Sequence, residues 1–143
     1  AKLKPENSAD FAHAIDFFPT IVKAAGLTVP EGQPGLDLTD AKVRGDRKRV
    51  FGVTDATHNM TLGSPSDTIH YLWCVEGDWK LMIKYPANDT THYKKLHTWD
   101  KKSLRLYNVS KDPHEKNEIA AEHPEVVERL KAEIEKWHPM KDG

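Results

Sequence analysis

The chain has 143 residues, and its 21 Lys and Arg nearly balance its 22 Asp and Glu, leaving a formal net charge of −1. A near-neutral chain has no global positive field that would attract nucleic acid or an anionic membrane surface. The single cysteine, Cys74, excludes an internal disulfide framework and a cysteine-rich zinc site. No apolar run approaches the ~18 residues of a membrane span, and the segment from Ala1 to Asp10 lacks the apolar stretch of a signal peptide.

A short helix is predicted from Asp16 to Ala25. Asp16 can cap its first N–H groups, Pro19 is tolerated in the first turn, and Gly26 suits a left-handed stop. One side of this helix is apolar, with Phe17, Ile21, Ala24 and Ala25. Because an apolar helix face is unstable in water, this helix needs a surface to pack on.

The middle of the chain is predicted to form mainly strands. A turn-rich loop from Leu27 to Asp40 is followed by a predicted strand from Arg49 to Thr54. A hairpin comes next, with strands Tyr71–Val75 and Trp79–Tyr85 around the turn Glu76-Gly77-Asp78, and a further strand runs from Leu104 to Val109. In the second hairpin strand apolar residues alternate with more polar ones, which predicts one buried face and one more polar face.

The last predicted element is a helix that Pro124 opens and Pro139 ends. Its apolar residues recur at steps of three and four, namely Val127, Leu130, Ile134 and Trp137. Glu125 and Arg129 are spaced for an ion pair on its surface. The predicted fold class is therefore α+β: a small antiparallel sheet of about four strands, packed by a C-terminal helix and preceded by a short helix.

Recognised catalytic signatures are missing from the sequence. It contains no Gly-x-Ser-x-Gly elbow, no phosphate-binding loop and no His-Glu-x-x-His zinc motif. The run His114-Glu115-Lys116-Asn117-Glu118 imitates the zinc motif, but it follows the turn Asp112-Pro113 and ends in glutamate, so we expect no zinc there. Cys74 lies in an apolar strand without a basic neighbour, and we expect a structural thiol.

Two polar segments are candidates for binding. His58 and Asn59 follow a predicted strand, where side chains can line a cleft, although a solvated loop explains them slightly better from local sequence. The Lys94–Lys102 region combines four lysines with aromatic residues, a composition that suits sulfated sugar or single-stranded nucleic acid, and also an ordinary solvated surface.

The order of three segments resembles the sulfatase family. Asp16-Phe17-Phe18-Pro19-Thr20 is similar to the Asp-x-x-Pro-Thr helix near the end of the large sulfatase domain, and Gly35-Leu36-Asp37-Leu38 to the Gly-x-x-Leu that follows it. Leu106-Tyr107-Asn108-Val109 with Asp112-Pro113-His114-Glu115 resembles the family pattern Leu-Tyr-Asp-Leu then Asp-Pro-x-Glu. Arg49-Val50-Phe51-Gly52 leading to His58 is similar to the heparan N-sulfatase (N-sulfoglucosamine sulfohydrolase) branch.

The resemblance implies a division of the chain and a role for each part. Residues 1–40 would be the tail of the large sulfatase domain with its connecting loop, and residues 41–143 the C-terminal subdomain that walls one side of the substrate cleft. His58 and Asn59 would contact the substrate. No residue matches the formylglycine motif Cys/Ser-x-Pro-x-Arg, since Val75 to Asp78 follow Cys74. We therefore expect the chain to be inactive alone, with formylglycine and calcium in a missing N-terminal catalytic domain.

The resemblance also implies partners and a compartment. The expected partners are the N-terminal catalytic domain of the same sulfatase and a sulfated carbohydrate or other sulfate ester, in the periplasm or outside the cell, with no nucleic acid and no membrane. A severed portion should expose an apolar docking surface and self-associate. The alternative, a non-catalytic module binding sulfated glycan or protein through the Lys94–Lys102 region, should keep its first helix covered.

Overall fold

The computed structural model describes residues 7–55, 69–85 and 102–139. The chain divides into two compact units, Ala1–Val50 and Phe51–Gly143. The helices and strands in chain order are α1 (Phe17–Ala24), α2 (Ala41–Asp46), β1 (Arg49–Asp55), β2 (Ile69–Glu76), β3 (Trp79–Lys84), β4 (Leu104–Asn108) and α3 (Pro124–Trp137). Two 3₁₀ turns cover Ala14–Asp16 and Ala120–Glu122.

The first predicted helix is confirmed as α1 preceded by a 3₁₀ turn. Pro19 is buried in its first turn, and Gly26 ends the helical segment at φ +76°, the left-handed conformation that glycine adopts without strain. The prediction that Asp16 caps α1 with its side chain is wrong. Its carboxyl is instead buried and accepts hydrogen bonds from Arg47 and from the backbone N–H of Leu36.

Helix α2 was not predicted from the sequence. Asp40 begins it, because its Oδ1 accepts hydrogen bonds from the backbone N–H groups of Lys42 and Val43 at 3.0 and 3.2 Å. The helix has only six residues and includes Gly45, so it shows too little periodicity to be recognised. No residue of α2 is buried.

The four strands form one antiparallel sheet in the order β1-β2-β3-β4, which confirms the predicted sheet. Each predicted strand is present within two residues of its predicted ends. Gly77 makes the tight turn between β2 and β3 at φ +55°. Leu81 is paired with Cys74 on one side and with Leu106 on the other, so three buried residues lie in a row across the sheet.

The core lies between this sheet and α3. Leu72, Cys74, Leu81 and Leu106 from the strands and Leu130 and Ile134 from α3 are fully excluded from solvent. Burying a leucine or isoleucine side chain contributes about 1.5–3 kcal/mol, so these contacts account for the docking of α3 on the sheet. The predicted bounds of the last helix are confirmed, from Pro124 to Trp137. Trp137, at its end, stacks on Phe51 of β1 at 5.1 Å and stays 43% exposed.

One local prediction in this unit is wrong. Arg129 pairs with Glu76 of β2, in the sheet, and not with Glu125. A partner brought close by tertiary structure therefore replaces the partner that is near in sequence. The turn before α3 is stabilised locally by Glu118, whose Oε1 accepts the backbone N–H of Ala120 at 2.6 Å.

The predicted assignment of residues 1–40 to a larger domain and 41–143 to a C-terminal subdomain stays a prediction, because it concerns a whole sulfatase.

Candidate functional site

The predicted substrate contacts, His58 and Asn59, lie outside the described residues, as do Lys94, Lys95 and Lys101 of the Lys94–Lys102 region. The strands from which these segments continue are described. β1 ends at Asp55, three positions before His58, and this confirms the predicted strand that precedes the pair.

The topology brings the attachment points of both candidate segments to one end of the sheet. β1 and β2 are antiparallel neighbours, so the segment 56–68 joins the end of β1 to the start of β2. The start of β2 also meets the end of β3, where the backbone N–H of Tyr85 donates to the carbonyl of His70 at 2.9 Å. The segment 86–101 leaves from there, and β4 begins beside it. The two binding candidates of the sequence therefore continue from the same sheet end.

One face of the sheet points away from α3, and we call it the distal face. Alternation along β2, β3 and β4 assigns eight of the residues paired between these strands to it. They are Tyr71, Trp73 and Val75 of β2, Lys80, Met82 and Lys84 of β3, and Arg105 and Tyr107 of β4. Tyr71 and Tyr107 are buried, Lys84 is exposed, and the others are half-buried.

Cations and aromatic rings are paired on the distal face. The Arg105 guanidinium lies 5.5 Å from the centre of the Tyr71 ring, and its Nη1 donates to the Tyr71 hydroxyl oxygen at 3.5 Å. That hydroxyl donates to the backbone carbonyl of Lys102 at 3.2 Å. Lys80 lies 5.9 Å from the centre of the Trp73 ring. Such pairs are attractive because a cation interacts favourably with the negative face of an aromatic ring.

Two acidic residues balance part of this charge. Lys80 Nζ is 2.6 Å from Glu115 Oε1, and Lys102 Nζ is 2.8 Å from Glu118 Oε2. Burial of the Glu118 carboxyl opposes its ionisation, but its hydrogen bonds from Lys102 and from two backbone N–H groups lower its pKa below the usual value. Glu118 therefore stays ionised and holds the segment before α3 to β4.

The described residues offer no metal centre and no reactive thiol. Nowhere in residues 7–55, 69–85 and 102–139 do three or more His, Cys, Asp or Glu side chains meet in a group that could hold a metal ion. Glu115 of the zinc-like sequence pairs with Lys80 instead. Cys74 is fully buried in the core, as predicted for a structural thiol. In the described part of the chain no helix has the length and apolarity needed to cross a bilayer.

In the unit Ala1–Val50 the loop after α1 is held by Asp16. Arg47 donates to both oxygens of the Asp16 carboxyl at 2.5 and 2.8 Å, and the backbone N–H groups of Leu36 and His13 donate at 2.9 and 2.7 Å. Burial opposes ionisation of this carboxyl, but these four hydrogen bonds outweigh it and lower the Asp16 pKa. Sequence analysis missed Arg47, because its separation of 31 residues from Asp16 carries no local signal.

Apolar side chains at and around α1 are exposed. Phe17 is 61% and Ile21 66% exposed, on the helix side that was predicted to need a surface. Phe18, Ile15 and Leu27 are also exposed, at 48%, 45% and 64%. Five large apolar residues within thirteen positions form more than scattered surface hydrophobicity, and a concentration of this kind marks an interaction surface.

Two sulfatases are similar in sequence to most of this chain. The chain is 29% identical over 133 residues to a sulfatase of Formosa agariphila and 27% identical over 140 residues to an N-acetylgalactosamine-6-O-sulfatase of Bacteroides thetaiotaomicron. These matches cover 82% and 94% of this chain. The chain is therefore similar to a region of sulfatases. It spans only 20% and 25% of the two relatives' length, and no protein-family model matches it.

Solved sulfatase structures share the fold. A 6S-sulfatase described with glycosaminoglycan metabolism by Bacteroides thetaiotaomicron matches 85% of this chain with a TM-score of 0.53 and 24% identity. A structure solved with its substrate D-glucosamine-2-N,6-O-disulfate matches 87% with a TM-score of 0.57 and 20% identity. The chain covers 24% and 23% of those two structures. At such identities the likeness shows the fold alone.

Proposed function

We propose that this chain completes the fold of a larger sulfatase and walls one side of its substrate cleft. The exposed apolar surface at α1 carries the proposal, since Phe17 and Ile21 are more than half exposed on a region that corresponds to a fifth to a quarter of a sulfatase. The rest of the enzyme would cover this surface. A free-standing module should instead keep α1 covered, so the exposure of Phe17 and Ile21 favours a part of a larger sulfatase over such a module.

The proposed substrate class is a sulfated carbohydrate, and the proposed reaction of the whole enzyme is hydrolysis of a sulfate ester or sulfamate. One relative is named for the 6-O-sulfate of N-acetylgalactosamine, and one structure was solved with a disulfated glucosamine. The narrower assignment to the heparan N-sulfatase branch rests on the motif from Arg49 to His58 alone.

In this proposal His58 and Asn59 contact the substrate, because an imidazole and an amide both donate hydrogen bonds to sulfate or sugar oxygens. The segment 56–68, which carries them, continues from the end of β1. The hydrolytic formylglycine and calcium would belong to the remainder of the enzyme. The described residues do not fit either group, since Cys74 is buried in the core and no three or more of their His, Cys, Asp or Glu side chains meet in a group that could hold a metal ion. A periplasmic or secreted location accompanies this proposal.

The first test is the coding sequence upstream of the Ala1 codon. An in-frame Cys/Ser-x-Pro-x-Arg preceded by paired aspartates is expected, together with sulfatase activity of the whole product on a sulfated sugar. A start codon immediately before Ala1, with no such motif, would remove the hydrolase proposal and leave a non-catalytic binding module as the function.

The second test concerns His58 in the whole enzyme. His58→Ala should lower kcat/KM on a sulfated glycan by about 10- to 100-fold, the effect of losing one or two charge-assisted hydrogen bonds, while leaving the melting temperature unchanged. His114→Ala is the matched control, since His114 is exposed at a turn in the described structure. Equal kinetics for the two variants would exclude His58 from the substrate site.

A further inference from the structure

We propose that the outer edge of β1 pairs with a β-strand from the remaining part of the sulfatase, so that the sheet has a fifth strand in the whole enzyme. The inference rests on the proposed function, which makes this chain part of a larger protein. The strand order β1-β2-β3-β4 places β1 and β4 at the two edges of the sheet. The outer side of an edge strand carries a row of backbone N–H and C=O groups without a partner strand, and natural proteins cover or protect such edges.

The β4 edge is covered within this chain. The backbone carbonyl of Leu106 accepts a hydrogen bond from the N–H of Ile119 at 3.0 Å, and the N–H of Leu106 donates to Glu118 Oε1 at 3.4 Å. The segment that precedes α3 therefore takes the place of a further strand at this edge of the sheet.

The β1 edge has no comparable cover in the part of the chain that the structure describes. Residues 51–55 form no backbone hydrogen bond outside the sheet with any described residue, and the strand order gives them β2 as their neighbour. Val53 and Thr54 follow one another and so lie on opposite faces of the strand, and both are exposed. Both faces of β1 therefore reach solvent near its end, as expected of a strand whose second neighbour is missing.

The sequence of β1 also lacks the residues that protect a sheet edge. From Val50 to Thr54 it contains no Pro and no charged residue, which are two of the means by which natural proteins keep edge strands from pairing. Val50, Val53 and Thr54 are β-branched, a type enriched in paired strands. The composition of this strand therefore favours the addition of another strand.

The surroundings of the edge favour a strand of the same enzyme as the partner. Phe51 and Val53 lie on the face that packs on α3, since the Phe51 ring stacks on Trp137. Val53 is 42% and Trp137 43% exposed, so the added strand would bury apolar surface beside the backbone hydrogen bonds that it forms. The chain spans 20% and 25% of the length of its two relatives, so about three quarters or more of such an enzyme lies outside it and can supply this strand.

Hydrogen exchange of the β1 amides, measured in this chain and in the whole enzyme, tests the pairing. In this chain successive amides of residues 51–54 point alternately to β2 and to the outer edge, so every second one should exchange rapidly. In the whole enzyme all four should be protected, and exchange of the outward ones should be slower by about 100-fold or more. The Leu106 amide of β4 is the control and should be protected in both forms, because Glu118 already accepts its hydrogen bond.

Proline substitution gives a second measurement. Proline is placed at Val53 or Thr54, at whichever amide exchanges rapidly in this chain, because an edge strand tolerates Pro where the N–H faces solvent. The melting temperature of this chain should change by about 2 °C or less, and that of the whole enzyme should fall by several degrees more. Proline at the other of the two positions is the matched control and should destabilise both forms, since that N–H bonds to β2.

Three outcomes would overturn the inference. Rapid exchange of the outward amides in an active whole enzyme would show that the edge stays unpaired. Protection in this chain alone that increases with its concentration would make a second copy the partner. An equal loss of stability in both forms on substitution of the outward residue would show that the whole enzyme forms no further hydrogen bond at this edge. Each outcome leaves the upstream-sequence test of the proposed function unaffected, so the two proposals can fail separately.

Discussion

The Asp16 carboxyl shows how one residue organises the loop that follows α1. It is fully buried and receives hydrogen bonds from Arg47, from Leu36 and from His13. A buried carboxylate is costly unless it is paired and hydrogen-bonded, and here both conditions are met. Thr20 adds a second tie, because its Oγ1 accepts the backbone N–H of Leu38 at 2.9 Å.

The lowered pKa of Asp16 predicts acid sensitivity of the unit Ala1–Val50. The folded state binds a proton at Asp16 less readily than the unfolded state does. The stabilisation that the ionised Asp16 carboxyl contributes is therefore complete above the ordinary Asp pKa of about 3.9, and it is lost as the pH falls through the lower pKa of the folded state. Denaturation between pH 6 and pH 2, followed through the NMR signal of the Leu36 amide, should show this loss. Asp16→Asn should be less stable at pH 6 and should lack that pH dependence at this amide.

Gly52 on β1 is required by its neighbour on β2. A Cβ at this position would lie 2.1 Å from Cζ2 of Trp73, far inside van der Waals contact. Gly52→Ala should therefore displace the indole and destabilise the protein by about 1–3 kcal/mol, seen in thermal unfolding and in Trp fluorescence. Gly45→Ala is the control, since a Cβ there meets nothing within 4 Å. Equal stability of the two variants would contradict the close packing of the Trp73 ring on Gly52.

At the scale of elements, α3 and the sheet stabilise each other. The helix buries Val126, Val127, Leu130 and Ile134. Arg129 adds a pair with Glu76 at the partly exposed edge of this contact, where an ion pair contributes at most about 1 kcal/mol. Apolar burial is therefore the main reason for the docking of α3.

Truncation of Ile134 tests this account. Ile134→Ala removes buried methylene and methyl groups and leaves a cavity, so it should reduce the free energy of unfolding by about 2–5 kcal/mol in urea denaturation. Glu128→Ala, on the exposed side of the same helix, should change it by no more than about 0.5 kcal/mol. A small effect of Ile134→Ala would mean that the α3 contact contributes little.

At the scale of the whole molecule, the apolar surface at α1 is the feature that supports the proposal of a larger enzyme over an independent module. Phe17 and Ile21 present their side chains to solvent, although Asp16 and Pro19 of the same segment are buried. The helix is thus fixed on one side and uncovered on the other. The sulfatase relatives are four to five times as long as their matched region, so in the proposed enzyme the remaining part of the protein would cover this apolar surface.

Self-association of the isolated chain should follow from that surface. Sedimentation should detect concentration-dependent oligomers, and the double substitution Phe17→Ser with Ile21→Ser should reduce them, because it removes the two most exposed large apolar side chains of α1. Val53→Ser, at another exposed apolar residue, is the control and should leave the oligomers unchanged. A monomeric wild-type chain would favour a free-standing binding module over a part of a larger enzyme.

Local sequence was sufficient for every strand and for α1 and α3, since their signals lie within a few residues: alternation in β3, Gly77 in the hairpin turn, and Pro124 before the periodic stripe of α3. It was insufficient for α2, which is too short to show a period. For the candidate site it indicated His58, Asn59 and the lysine-rich segment separately. That both segments continue from one sheet end follows only from the strand order.

The sequence by itself determined the fold class and the sulfatase resemblance, because hydrophobic period, turn residues and motif order are properties of neighbouring positions. Only the tertiary structure decided the partners of the charged groups: Arg47 for Asp16, Glu76 for Arg129, and Glu115 for Lys80. These pairs join residues 31 to 53 positions apart. A charge interacts with any opposite charge within a few ångströms, and chain folding alone determines which one that is.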